Sequence, residues 1–271
     1  MTAPLLSVEH VGKTFAGTGL FSRRLVRAVD NVDFSLPSGE AQIFTVIGES
    51  GSGKSTLARM ILGMIEPTDG RIVFEGRDLA AVRSRADRLA FMKRVQPIFQ
   101  NPFEAFNPLK KVDRYLFNSA RRFLGARGRP AIERAADMAL NKVGLTLAEV
   151  KGRFPHELSG GQLQRIAVAR ALVSEPHLIV ADEPVSMVDA SLRMSIVNLF
   201  RSLRDELGVS IIYITHDLAT AYYISDRLII MQAGKVVESG NARTVLDAPT
   251  HPYAIRLKDA VLAPEPGASH F

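Results

Sequence analysis

The stretch Gly48-Glu49-Ser50-Gly51-Ser52-Gly53-Lys54-Ser55-Thr56 restricts the fold of this chain more than any other. It follows Ile43-Phe44-Thr45-Val46-Ile47, an apolar, β-branched run that reads as a buried strand. After it, Leu57-Ala58-Arg59-Met60-Ile61-Leu62 contains helix formers and meets no breaker before Gly63. Strand, glycine-rich turn and helix opening with Lys-Ser form the context in which a G-x-x-x-x-G-K-[ST] pattern cradles phosphate. The glycines let the backbone curl with its N–H groups inward, and the helix start adds free N–H groups and a positive dipole end. Lys54 is placed to reach the terminal phosphates, and the Ser55 hydroxyl to ligate Mg2+.

With 271 residues, 46% of them hydrophobic, the chain can bury one large core, or one core and a small lobe. No apolar run approaches the ~18 residues of a membrane span, and Met1–Glu9 lacks the charged start and apolar core of a signal peptide. Cysteine is absent, which excludes disulfides, Cys-zinc and iron–sulfur sites and suits a reducing compartment. The formal charge of +6 comes partly from the clusters Arg83/Arg85/Arg88 and Arg121/Arg122/Arg127/Arg129. Such clusters read first as a solvated face, with an acidic partner or an anionic membrane surface as alternatives. Without a basic stretch interleaved with aromatics, nucleic acid is not expected as a partner.

Short β-rich segments at Leu6–Val11 and Val26–Leu36 precede the phosphate-loop strand, from which the turn Pro37-Ser38-Gly39-Glu40 divides them. A further strand is expected at Arg71–Phe74, between turns at Pro67–Gly70 and Glu75-Gly76. Residues 78–156 read as mostly helical, interrupted by a loop at Asn101–Pro108; the helix Ala131–Val143 has Pro130 at its first turn. Helices at Gln162–Val173 and Leu192–Leu207 alternate with buried strands at His177–Ala181 and Val209–Thr215. Arg227–Met231 and Lys235–Glu238 pair as a hairpin across Gln232-Ala233-Gly234. Strands alternating with helices predict a mostly parallel, helix-covered sheet, with a helical insertion over 85–157.

Two further stretches carry chemistry. In Leu158-Ser159-Gly160-Gly161-Gln162, Ser159 is an N-cap and the two glycines keep the first helical N–H groups accessible. It has no lysine, so it reads as an incomplete cradle that another molecule completes. The apolar strand His177–Ala181 ends in Asp182-Glu183. Strand alternation would send the two carboxylates to opposite sides, Asp182 to the Mg2+ shell and Glu183 to the attacking water. His216 ends another apolar strand, and Gln100 follows Val95-Gln96-Pro97-Ile98-Phe99; neither carries a signal alone.

Taken together and in this order, these pieces resemble the ATP-binding subunit of ATP-binding-cassette (ABC) transporters, over nearly the whole chain. Residues 48–56 match the Walker A loop, 178–183 the Walker B strand and 158–162 the signature motif. The resemblance implies roles for Gln100 at the Q-loop, Asp189 at the D-loop, His216 as the switch histidine at the γ-phosphate, and Phe15 stacked on adenine. It also implies an α/β fold: a P-loop NTPase (RecA-like) core with an N-terminal antiparallel β subdomain and an inserted α-helical subdomain. Residues 1–84 and 158–240 would form the core with its β subdomain, 85–157 the helical insertion with the Q-loop, and 241–271 a C-terminal extension.

Within the family, the segments 99–108, 154–162 and Thr250-His251-Pro252-Tyr253 are similar to the oligopeptide/dipeptide/nickel importer branch. The implied activity is ATP hydrolysis with Mg2+, driving membrane permease subunits from the cytoplasmic face of the inner membrane. The implied partners are those permeases, a second ATPase subunit (identical or homologous) arranged head to tail, and, indirectly, an extracytoplasmic solute-binding protein. A soluble ATPase subunit of an enzyme complex, like that of carbon–phosphorus lyase, shares all these motifs and stands as the alternative. Pro97 departs from the pattern, since an aliphatic residue is expected there, and it is predicted to disturb strand pairing before Gln100.

Overall fold

The computed structural model describes residues 3–16, 25–100 and 105–262, and the chain divides into two compact units, 1–80 with 213–271 and 81–212. In the first unit, strands β1 (Leu6–Ala16), β2 (Leu25–Leu36), β4 (Asp69–Phe74) and β5 (Arg77–Asp78) form an antiparallel sheet in the order β2-β1-β4-β5. Leu6 is paired with Leu36 on one side and Phe74 on the other, and Leu6, Val8 and Val11 are buried. The pairing shifts register after Val8, where His10 takes a left-handed backbone (φ 49). Gly70 lies against that bulge: a Cβ there would come within 2.3 Å of the His10 carbonyl oxygen.

The same unit contains β3 (Ile43–Ile47), every residue of it buried, as a strand covered on both faces must be. It runs parallel to β9 (Arg227–Gln232), with Ile47 opposite Ile230. β9 turns back into β10 (Lys235–Asn241) through Ala233 (φ 48) and Gly234 (φ 84), the expected hairpin with two left-handed residues at its turn. Helix α1 (Lys54–Ile61) follows β3 after the glycine loop. Among the described residues, three more helices belong to the unit: α8 (Leu218–Ile224), α9 (Ala242–Asp247) and α10 (Pro252–Leu262). Ile47, Ala221, Leu228, Ile230, Leu246 and Tyr253 belong to one buried cluster. Helix α10 thereby shares a core with the strand that leads into the phosphate loop.

In the second unit, β6 (Val95–Ile98) and β7 (Leu178–Asp182) pair in parallel, Val95 with Leu178 and Ile98 with Ala181. Pro97 stands opposite Val180 within this ladder, so the predicted disturbance does not occur. β6 is an edge strand, where the missing N–H of proline leaves no neighbour unpaired. Among the described residues, the helices of this unit include α2 (Arg85–Arg94), α3 (Asp113–Phe123), α4 (Arg129–Asn141), α5 (Leu147–Val150), α6 (Gly160–Leu172) and α7 (Ala190–Leu207). Pro130 occupies the first turn of α4, as its fixed φ and missing donor favour. Strand β8 (Ser210–Thr215) carries the chain out of this unit, its residues 210–212 belonging to the second and 213–215 to the first. Among the described residues, no helix is long and apolar enough to cross a membrane.

Candidate functional site

The phosphate loop lies in the first unit, between β3 and α1. Gly53 precedes α1 with φ 103, a conformation L side chains rarely adopt, and no side chain caps the helix. The first N–H groups of α1 are therefore available to an anion. The loop is hemmed in by backbone: a Cβ on Gly53 would lie 2.3 Å from the Ala28 carbonyl oxygen, and one on Gly48 2.3 Å from that of Met231. The hairpin turn also holds it, since Gly234 N–H donates to the Ser52 carbonyl (3.0 Å). Lys54 is only 5% exposed, and its Nζ donates to the carbonyls of Gly48 (2.6 Å) and Glu49 (2.8 Å) across the loop. Ser52 Oγ is buried and makes no hydrogen bond. An inward-curled loop with a spare buried hydroxyl and a lysine drawn across it fits a polyphosphate.

Phe15 and His216 are in the same unit. Phe15 lies on β1 and is 40% exposed, which rules out a core role and leaves a face available for stacking; Lys13 Nζ sits 5.5 Å from its ring centre. His216 is exposed just after β8, beside Asp217, whose carboxylate caps α8 by accepting from Ala219 N–H (3.0 Å) and Thr220 N–H (3.4 Å).

The carboxylates are in the second unit. β7 ends at Asp182, and Glu183 does not continue it: its φ of 46 places it in the left-handed region. A sharp turn, rather than strand alternation, thus separates the two carboxylates. The Glu183 carbonyl accepts from Ser186 N–H (3.2 Å) and Ser186 Oγ (3.0 Å), which holds that turn. A non-glycine residue kept in this conformation costs about 1–3 kcal/mol, a strain that recurs at functional positions. Gln100 Nε2 donates to Glu183 Oε2 at 3.0 Å. The parallel register explains the meeting, because Ile98 pairs with Ala181 and each partner of the hydrogen bond lies two residues further on.

Ser159 caps α6 as predicted. Its hydroxyl accepts from Gln162 N–H (3.2 Å) while Gln162 Oε1 accepts from Ser159 N–H (3.0 Å), a reciprocal capping box. Gly161 faces Leu192 of α7, and Asp189 is exposed at the start of that helix, its carbonyl accepting from Leu192 N–H (2.9 Å) and Arg193 N–H (3.0 Å). Ser55 in the first unit, and Asp182 and the Gln100 side-chain carbonyl in the second, each carry the hard oxygen donor type that Mg2+ prefers, and Mg2+ ordinarily takes one or two carboxylates together with substrate phosphates. The donor chemistry therefore fits this ion.

Tyr253 was not among the expected site residues. Only 2% exposed, it extends from α10 to accept a hydrogen bond at its hydroxyl from Glu49 N–H in the phosphate loop (3.0 Å). Burial chiefly pushes its phenol above the ordinary range, so the group stays protonated at neutral pH. A buried tyrosine hydroxyl needs a partner, but the burial that would have flagged Tyr253 is decided by packing and not by a local pattern.

Residues 29–186 match the family model described as ABC transporter. The chain is 39% identical to a probable peptide ABC transporter ATP-binding protein, y4tS, of Sinorhizobium fredii, over 98% of this chain and 75% of that one. It is 41% identical to the oligopeptide transport ATP-binding protein OppF of Escherichia coli, over 90% of this chain and 72% of that one. Its structure resembles the ATP-binding cassette MJ0796, solved as a dimer in a post-hydrolysis state with ADP and phosphate (TM-score 0.76, 26% identity, 88% of this chain and 99% of that one). The phosphate loop and the strand-end carboxylates thus sit in an α/β P-loop NTPase fold with an antiparallel β subdomain, and the chain belongs to the ABC transporter family.

Proposed function

We propose that this chain is the ATP-binding and ATP-hydrolysing subunit of an importer for oligopeptides, dipeptides or a related small solute. The phosphate loop carries the reading: an uncapped helix start, a buried lysine bridging two loop carbonyls and an unpartnered Ser52 hydroxyl suit a nucleotide polyphosphate. The names of y4tS and OppF support peptide import.

Lys54 and the N–H groups from Ser50 to Thr56 hold the phosphates and stabilise charge on the transferred group, with Phe15 stacked on the adenine. Glu183, oriented by Gln100, positions and polarises the attacking water, and His216 contacts the γ-phosphate. Ser55, Gln100 and Asp182 would hold Mg2+, which supplies charge neutralisation between the phosphates.

The signature residues Ser159, Gly160, Gly161 and Gln162 with Asp189 complete the site of a second cassette chain, identical or homologous, in a head-to-tail dimer; the dimeric MJ0796 cassette supports this. ATP then contributes binding energy to the closed dimer alone, and hydrolysis removes it. The organisation we assign is a core over 1–84 and 158–240, a helical insertion over 85–157 and an extension over 241–271. Permease subunits dock at 101–112 and the adjoining helices, of which 101–104 lie outside the described residues. The chain works as a peripheral protein at the cytoplasmic membrane face, and a solute-binding protein acts through the permease.

Isolation from native membranes in mild detergent tests this. Co-purification with two hydrophobic permease subunits is expected, while recovery only with soluble enzymes would favour the enzyme-complex ATPase. Lys54→Ala is expected to abolish nucleotide binding, and normal ATP affinity in that variant would overturn the phosphate-loop assignment.

A further inference from the structure

The C-terminal segment has no part in the activity as described, yet it reaches the phosphate loop. Glu238 of β10 anchors its start: one carboxylate oxygen accepts from Thr250 N–H (2.5 Å), His251 N–H (2.5 Å) and the Thr250 hydroxyl (3.1 Å). His251 Nδ1 then accepts from Tyr253 N–H (3.2 Å), fixing the first turn of α10. The Tyr253 ring belongs to the buried cluster that includes Ile47, the residue just before the loop, and its hydroxyl accepts from Glu49 N–H.

The peptide unit on the other side of Glu49 is also tied. The Glu49 carbonyl accepts from Ser52 N–H (3.2 Å) and from Lys54 Nζ (2.8 Å). Both backbone groups of Glu49 are therefore held, one by the tail and one by the lysine that meets the phosphates. Without the tyrosine hydroxyl, Glu49 N–H would lose its acceptor, and the first turn of the loop would be fixed from one side only.

We propose that Tyr253 is a positioning residue for the phosphate loop, and that docking of the segment 250–262 sets the affinity for the nucleotide. The proposal rests on the loop being the ATP site. Tyr253 touches no phosphate in this arrangement. It acts by holding the empty loop in the conformation that the nucleotide needs, so its effect falls on binding rather than on the chemical step.

The test compares Tyr253→Phe with the wild-type chain. Phenylalanine keeps the ring in the cluster and removes the acceptor. Binding of ATP measured by calorimetry is expected to weaken roughly tenfold, the scale of one lost hydrogen bond to a buried backbone donor. KM for ATP should rise in parallel, with kcat at saturation unchanged. Amide hydrogen exchange at Glu49 in the nucleotide-free protein should accelerate by a similar factor while the other β3 and α1 amides keep their protection. Unchanged affinity together with unchanged exchange at Glu49 would overturn the proposal, as would a fall in kcat without a change in KM. A wild-type chain that binds no ATP would overturn the ATP-site reading and this proposal with it. Failure specific to the tail is thus distinguished by normal binding in the wild type and the variant alike.

Discussion

Gln100 and Glu183 are joined by a 3.0 Å hydrogen bond from the glutamine amide to one carboxylate oxygen, although 83 residues separate them in sequence. The carboxylate can only accept, so the Gln100 NH2 must face it and the Gln100 carbonyl faces elsewhere, ready for a cation. One side chain can therefore serve both proposed roles at once, orienting the Glu183 carboxylate and offering an oxygen ligand to a cation.

Two substitutions separate those roles. Glu183→Gln should retain ATP binding and lose turnover by about 10²–10⁴-fold, the scale of general-base catalysis. Gln100→Ala should lower turnover by about 10–100-fold through misplacement of Glu183. It should also raise the Mg2+ concentration needed for half-maximal activity, and a deficit should remain at saturating Mg2+. Complete recovery with Mg2+ would show that Gln100 does not position Glu183.

Ser159 tests the shared site. Ser159→Glu breaks the reciprocal cap with Gln162, at a cost of about 0.5–2 kcal/mol in stability, visible as a modest fall in Tm. ATP binding to the single chain should be untouched, and hydrolysis should be lost. Mixing that variant with Lys54→Ala should recover activity, because one site of the mixed dimer then has an intact loop and an intact signature. No recovery on mixing would argue against a site built from two chains.

Gly53→Ala places a side chain where φ is 103 and the Ala28 carbonyl oxygen lies 2.3 Å from the new Cβ. Gly51→Ala meets only the conformational penalty, since its φ is 81 and nothing lies within 4 Å. Denaturant unfolding should show Gly51→Ala costing about 1 kcal/mol and Gly53→Ala about 3 kcal/mol or more. Equal costs would mean that β2 yields freely to the loop.

Glu238 gives the C-terminal anchor a pH dependence. Burial raises its pKa, but hydrogen bonds from His251 N–H, Thr250 N–H and the Thr250 hydroxyl outweigh this and hold it below the usual value of 4.5. A depressed folded-state pKa contributes stability that is present above the unfolded pKa and is lost as pH falls through the folded one. The stability difference between wild type and Glu238→Gln should accordingly be constant near neutral pH and shrink below about pH 4.5. A difference that grows on acidification would show the anchor to be something other than the carboxylate.

Local features were legible in the sequence. The strand before Gly48, the helix from Lys54, the Ser159 cap, Pro130 in the first turn of α4 and the hairpin turn at Ala233-Gly234 all rest on interactions between near neighbours in sequence. The family followed from motifs of the same local kind.

Other features depend on which strands lie side by side. Pro97 looked disruptive because the sequence does not say that β6 is an edge strand with no neighbour to starve of a donor. Strand alternation gave the wrong reason for separating Asp182 from Glu183, because β7 stops at Asp182 and the chain turns there with a left-handed residue. The bond between Gln100 and Glu183 needed the register of β6 on β7.

Tyr253 is the extreme case, bonded to Glu49 across 204 residues. The sequence by itself determined a glycine-rich cradle with a lysine at the helix start, since that pattern is written within nine consecutive residues. Only the tertiary structure decided what holds that cradle still. The supports come from β2, the β9–β10 turn and α10, and packing brought them together with no sequence period to announce it.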